Sequence, residues 1–225
     1  MARTMQFTGE HSTSFGWKCV ILVGFSVALL ASAWLMFAGT GTFRVEGDLG
    51  RQAILMACSV VYAVRVSITL FVFLRRKVVW WEGLLGAVGL PALLFLFASV
   101  GGDQDKPLGA VDALGVILYL LGSYLGTRSE LSRYIWKAKP ANKGHLYTQG
   151  LFRYARHINY LGDVVLFTGF ALITRDPWML IVPLAMTVSF VLMVIPAHDA
   201  YLDNRYGDEF RKYARETKRL LPLVY

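Results

Sequence analysis

Two cysteines in 225 residues, Cys19 and Cys58, both inside apolar runs with no His or Cys at metal spacing nearby, supply neither a disulfide framework nor a zinc site. A Gly-x-Gly-x-x-Gly phosphate loop, a Walker lysine motif, a nucleophile elbow and a His-Glu-x-x-His helix are all missing. A soluble-type Rossmann site is thereby excluded; a dinucleotide, if one binds, must do so in a helical membrane cavity. No linker, low-complexity tract or internal repeat divides the chain, so residues 1–225 read as one domain. Acidic residues are scarce, 15 against 23 Lys and Arg, which leaves a net charge of +8. That excess sits in loops beside helix ends. It reads first as a topology determinant and an attraction to anionic headgroups, second as a site for an anionic ligand, and not as a nucleic-acid footprint.

What the chain has in abundance is apolar length. It is 56% hydrophobic with a mean hydropathy of +0.48, and a soluble core could not hide that much apolar surface. The fold expected is all-α, a polytopic membrane bundle of about six transmembrane helices with a carboxy-terminal amphipathic interfacial helix. The spans read Trp17–Phe37, Gln52–Leu74, Val78–Val100, Ala110–Thr127, Ile158–Ile173 and Pro177–Ala197. The first lacks a small-residue cleavage site and is read as a retained span. The tail from His198 carries Tyr201, Leu202, Tyr206, Phe210 and Tyr213 at helical spacing. Lys and Arg concentrate at Arg75–Lys77, at 128–157 and in the tail, which makes that side and both termini cytoplasmic. The membrane is bacterial inner or endoplasmic reticulum, and the oligomeric state is open. The halves divide at 127, the first as the substrate half and the second as the cofactor half.

One stretch sets polar and ionisable residues against the start of a span: Gly150-Leu-Phe-Arg-Tyr-Ala-Arg-His-Ile-Asn-Tyr-Leu-Gly-Asp163. Such groups at a bilayer edge are costly to dehydrate and mark a functional site. Asn159 and Asp163 are one helical turn apart, following Arg156 and His157. Snorkelling explains the cations but not an amide and a carboxylate one turn further in. Upstream, Glu130 and Tyr134 repeat the four-residue relation, so two helix ends face one basic loop. Lys137, Lys139 and Lys143 in that loop read, from residue type alone, as headgroup anchors. Arg suits bidentate phosphate contacts, Asn and Asp suit ribose hydroxyls, and Tyr suits stacking on a flat ring, as a nucleotide-derived cofactor requires.

Tyr62 and Arg65 sit mid-span, one turn apart. An unpaired cation there costs at least ~2.5 kcal/mol on insertion scales, so Arg65 is expected to face a cavity and an anion. Tyr62 beside it is placed to donate a proton. Glu82 and Asp112, near span ends, read as solvated or interfacial, without a role.

The Gly150–Asp163 stretch resembles the signature shared by steroid 5-alpha-reductases, their bacterial (DUF1295-like) relatives, sterol C14 reductases and, more loosely, isoprenylcysteine carboxyl methyltransferases. Tyr62-Ala-Val-Arg65 is similar to the reductases' Tyr-x-x-Arg helix. The ending Arg219-Leu-Leu-Pro-Leu-Val-Tyr225 looks like their terminal sequence. The resemblance implies NADPH as cofactor, with Arg65, Glu130, Lys137, Arg156, His157, Asn159, Tyr160, Asp163, Asp199 and Tyr201 holding it and Tyr62 as catalytic proton donor. No metal is implied. Departures are Ile158 where the family has Pro, the absence of a match to the steroid enzymes' substrate-side Gln-Glu pair beyond Glu46, and one span fewer than seven.

The activity expected is hydride transfer from NADPH to a carbon-carbon double bond of a lipophilic steroid-like or isoprenoid enone. The alternative fills the same pocket with S-adenosylmethionine for methyl transfer to a prenylated or phospholipid acceptor. His198-Asp199-Ala-Tyr201-Leu, where methyltransferases carry paired glutamates, speaks against that alternative. A third reading is a non-catalytic membrane protein that binds lipid or a partner through its basic loop.

Overall fold

The computed structural model describes residues 15–40, 45–74 and 76–225. Arg44, Arg75 and the polar segment before Phe15 lie outside them. Among the described residues the chain is helical, with one isolated β-bridge and no strand. Nine α-helices are described: α1 (Phe15–Ala33), α2 (Leu49–Ile68), α3 (Trp80–Leu84), α4 (Leu90–Gly102), α5 (Ala110–Lys137), α6 (Ile158–Ile173), α7 (Ile181–Ser189), α8 (Ile195–Tyr206) and α9 (Asp208–Glu216). Wide π-helical turns join α3 to α4 and α7 to α8, over Leu85–Gly89 and Phe190–Val194. Each lies just before a proline, Pro91 or Pro196, where an α-helical amide bond could not form in any case.

Among the described residues, five continuous helical segments are long and apolar enough to cross a membrane: Phe15–Ala38, Leu49–Phe73, Trp80–Gly102, Ala110–Lys137 and Pro177–Tyr206. The protein is a multi-pass membrane bundle, as its apolar runs predict. The expected fifth span, α6, has 16 residues, about 24 Å of helix against a hydrocarbon core of about 30 Å. Two boundaries also differ from expectation. α5 runs ten residues past Thr127, to Lys137. The tail helix begins not at His198 but after Gly207, whose φ of 52° ends α8 and starts α9.

The described chain divides into two compact units. The amino-terminal unit runs to Ile117 and includes Thr168–Leu180; the carboxy-terminal unit comprises Leu118–Phe167 and Ile181–Tyr225. In the amino-terminal unit the side chain of Asp48 caps α2 through the Arg51 amide at 2.8 Å. Phe97 and Phe170 stack at 5.2 Å. Asp112, read from sequence as solvated or interfacial, is 2% exposed. Its Oδ1 accepts from Arg51 Nε and a terminal Arg51 nitrogen, both at 3.2 Å. Its Oδ2 accepts from Arg175 Nε at 3.0 Å and from the Gly109 amide at 2.8 Å. The remaining terminal nitrogen of Arg51 donates to the carbonyls of Gln104 and Lys106. Glu82, likewise given no role, pairs with Arg76 at 2.7 Å.

In the carboxy-terminal unit α5 and α6 approach backbone to backbone. A Cβ on Gly122 would lie 2.4 Å from the Gly162 carbonyl oxygen, so only glycine fits. That contact lets Glu130, two turns further along α5, reach the first turn of α6.

Candidate cofactor site

The site is built around Asp199, near the middle of α8 and 9% exposed. Its Oδ1 lies 2.9 Å from His157 Nε2, and its Oδ2 accepts from Arg156 at 3.0 Å and lies 3.3 Å from Arg219 Nε. Two guanidiniums on one oxygen hold the carboxyl in its anionic, acceptor-only form, so His157 Nε2 is the donor. His157 is 1% exposed. Its ring lies parallel to that of Tyr160, 5.3 Å between centroids, and Tyr160 stacks in turn on Phe190 at 4.9 Å. The Tyr160 hydroxyl is 3.4 Å from His198 Nδ1.

Arg156 and His157 are held in place by the tail. The Arg156 amide donates to the Lys218 carbonyl at 2.8 Å and the His157 amide to the Arg219 carbonyl at 2.9 Å, beside the parallel bridge of Ala155 with Lys218. One guanidinium nitrogen of Arg156 donates to Ala214 and Thr217 carbonyls at 2.8 and 2.6 Å. Its buried Nε has no hydrogen-bond partner among the described residues. Tyr213, on α9, donates to the Phe152 carbonyl at 2.6 Å. Burial pushes its phenol well above the usual tyrosine range.

A second polar group joins α5 to α6. Asn159 Nδ2 donates to Glu130 Oε1 at 3.1 Å, and Arg133 pairs with the other oxygen of Glu130. One turn on, Lys137 donates to the His145 carbonyl and to the Tyr206 hydroxyl, the latter at 2.9 Å. Asn159, Arg133, Lys137 and Tyr206 border a cavity of about 180 Å³. Arg133, Lys137 and Arg156 supply its cations, Asn159 and His198 an amide and an imidazole, and Tyr147, Phe152, Tyr201, Tyr206 and Tyr213 its aromatic walls.

A family model described as a protein of unknown function, DUF1295, matches residues 84–217, more than half of the sequence. This chain belongs to the DUF1295 family. The matched residues include the described carboxy-terminal unit as far as Thr217 and leave out Tyr62 and Arg65. A relative named probable O-methyltransferase ustE, from Ustilaginoidea virens, is 31% identical over 123 residues, 51% of this chain and 43% of that protein. The DUF1295 chain thus aligns with less than half the length of that relative.

Eight of the residues expected from sequence come together in the carboxy-terminal unit of this DUF1295 protein. Glu130, Arg156, His157, Asn159, Tyr160 and Asp199 form the two polar groups, and Lys137 and Tyr201 line the cavity with Arg156 and Asn159. Asp163 lies one turn further along α6, half-buried. Tyr62 and Arg65 belong to the amino-terminal unit, where Tyr62 is 6% exposed and its ring lies 5.9 Å from the Arg65 guanidinium. Sequence reasoning passed over Arg133, although it lies three residues from Glu130 on one helix face. It passed over His198 beside Asp199, and it gave Arg219 no role of its own.

Proposed function

We propose that this DUF1295 protein is a membrane-embedded reductase that holds NADPH in its carboxy-terminal unit and delivers hydride to a carbon-carbon double bond of a lipophilic steroid-like or isoprenoid enone. The observation that carries the reading is the basic cavity wall: Arg133 and Arg156 are each paired with a carboxylate outside the lining, while Lys137 donates only to the His145 carbonyl and the Tyr206 hydroxyl among the described residues, which leaves its charge for an anion. Such a wall favours phosphate over a cationic sulfonium. At about 180 Å³ the cavity is smaller than the roughly 300–1,000 Å³ of pockets that enclose a whole ligand. It has room for one ring and an adjoining phosphate, hence for one end of the cofactor. Lys137 and Arg133 would attract the phosphate, the tyrosines would wall the ring, and the spare Nε of Arg156 would offer one more donor. Asp199 keeps Arg156 and His157 in fixed orientations while this happens. When bound, the nicotinamide supplies the hydride. Tyr62 is the proton donor of this reading.

A second reading, methyl transfer from S-adenosylmethionine to a lipophilic acceptor, is supported by the printed name of the Ustilaginoidea virens relative. Thermal unfolding of the purified protein with each cofactor separates the two. A ligand at a hundred times its Kd stabilises by about 2.7 kcal/mol. NADPH is expected to raise the melting temperature and S-adenosylmethionine to leave it unchanged; the reverse result would replace the first reading by the second.

A further inference from the structure

The most exposed large apolar side chain among the described residues lies outside every span. Leu223 is 92% exposed and Val224 73%, and Leu221, in the same turn, is 43% exposed. This turn has a defined shape. The amides of Leu220 and Leu221 both donate to the Tyr225 carbonyl, at 2.7 and 2.8 Å, and those of Val224 and Tyr225 return to the Leu221 carbonyl at 3.2 and 3.1 Å. Leu223 takes a φ of 68°, uncommon for a bulky side chain. A closed, hydrogen-bonded turn with its apolar residues outward leaves them facing solvent unless something apolar lies against them.

The connections of the turn say what that is. Immediately before it, Lys218 and Arg219 pair with Arg156 and His157 at the entrance of the apolar helix α6, and Arg219 reaches Asp199. Asp199 is two turns from the end of the apolar segment Pro177–Tyr206, about 10 Å along the helix axis. The turn therefore starts from the level at which two apolar helices give way to charge, which is the headgroup level of the bilayer. Its flank is basic: residues 212–219 hold Lys212, Arg215, Lys218 and Arg219 against the single acid Glu216, and Lys212, Arg215 and Lys218 are exposed. Apolar side chains beside exposed cations are the composition of an interfacial anchor on anionic lipid.

We infer that the turn Leu221–Tyr225 is a membrane-interface anchor, inserting Leu223 and Val224 into the headgroup-acyl boundary of the bilayer that its own helices cross, with the cations of 212–218 on anionic phospholipid headgroups. The inference does not depend on which cofactor the protein uses.

Spin labels test it in the full chain, with Cys19 and Cys58 replaced by alanine, in nanodiscs of phosphatidylcholine with a third phosphatidylglycerol. Labels are placed singly through Leu223→Cys, Val224→Cys and, as aqueous reference, Asp208→Cys, whose side chain is 99% exposed. Collision with oxygen relative to an aqueous nickel complex measures depth. The labels at 223 and 224 are expected to read roughly 5–10 Å inside the phosphate level and to move outward when the phosphatidylglycerol is omitted. Nickel accessibility at 223 and 224 equal to that at 208 would overturn the inference. Dipolar broadening between two labels at 223 would overturn it as well, since a second copy of the chain would then be the cover. Two separate label positions keep the result independent of one variant's folding.

Discussion

The two units each bury a carboxylate between two arginines, and they use it differently. In the amino-terminal unit Asp112 meets Arg51 and Arg175, and the donors of Arg51, a side chain with no exposure at all, are spent on Asp112, Gln104 and Lys106. Each of its three guanidinium nitrogens has a partner within the cluster. That cluster is a lock on the loop between α4 and α5. In the carboxy-terminal unit Asp199 meets Arg156 and Arg219 and also an imidazole, one nitrogen of Arg156 has no partner among the described residues, and Arg156 borders a cavity. Burial of charge is common to both. What separates a site from a strut is unspent hydrogen-bonding capacity beside open space.

The sharpest way to break this comparison is Asp112→Ala. It strands Arg51 and is expected to cost about 3–5 kcal/mol of stability, read by denaturant titration in mixed micelles, with NADPH affinity unchanged in the fraction that stays folded. Loss of affinity in that fraction would make the lock part of the site. Asp199→Ala should do what Asp112→Ala does not and weaken NADPH binding at least about tenfold, or ~1.4 kcal/mol, by isothermal titration. Lys137→Met sharpens the same contrast without disturbing either cluster. It is expected to reduce NADPH affinity about tenfold, the order of one hydrogen bond to a charged group, and to leave any S-adenosylmethionine binding as it was. The smallest effect concerns Tyr213. Its phenol titrates higher folded than unfolded, so the native state retains a proton that the unfolded chain gives up. Stability should therefore be intact below the ordinary tyrosine value of 10.0 and decline as pH rises above it, with a shallower decline in Tyr213→Phe.

The parts of this architecture legible in the sequence were those that local composition determines. Apolar runs fix spans because crossing hydrocarbon is a property of each segment alone, and the Gly150–Asp163 stretch was visible because its polar residues are neighbours along the chain. Asp112 was misread because its partners Arg51 and Arg175 lie 61 and 63 residues away, and a charge without a visible partner at a span end looks solvated. Gly207 was the available signal for the break between α8 and α9, but the 3-to-4 spacing of Tyr201 to Tyr213 runs through it and suggested one helix. The tyrosine wall of the cavity, drawn from a loop and two helices, and the third arm of Asp199, drawn from the tail, have no local signature.

The tail's pairing with Ala155–His157 also bears on the order in which the molecule can be made. The carbonyls of Ala214 and Thr217 that receive the Arg156 side chain are translated 58 and 61 residues after it. Until they are made, Arg156 lacks those two acceptors and His157 lacks the Arg219 carbonyl that takes its amide. Closing that ring is thus a late event in biogenesis, and a nascent chain halted before residue 214 would carry the helices without the contacts that fix the Arg156 side chain.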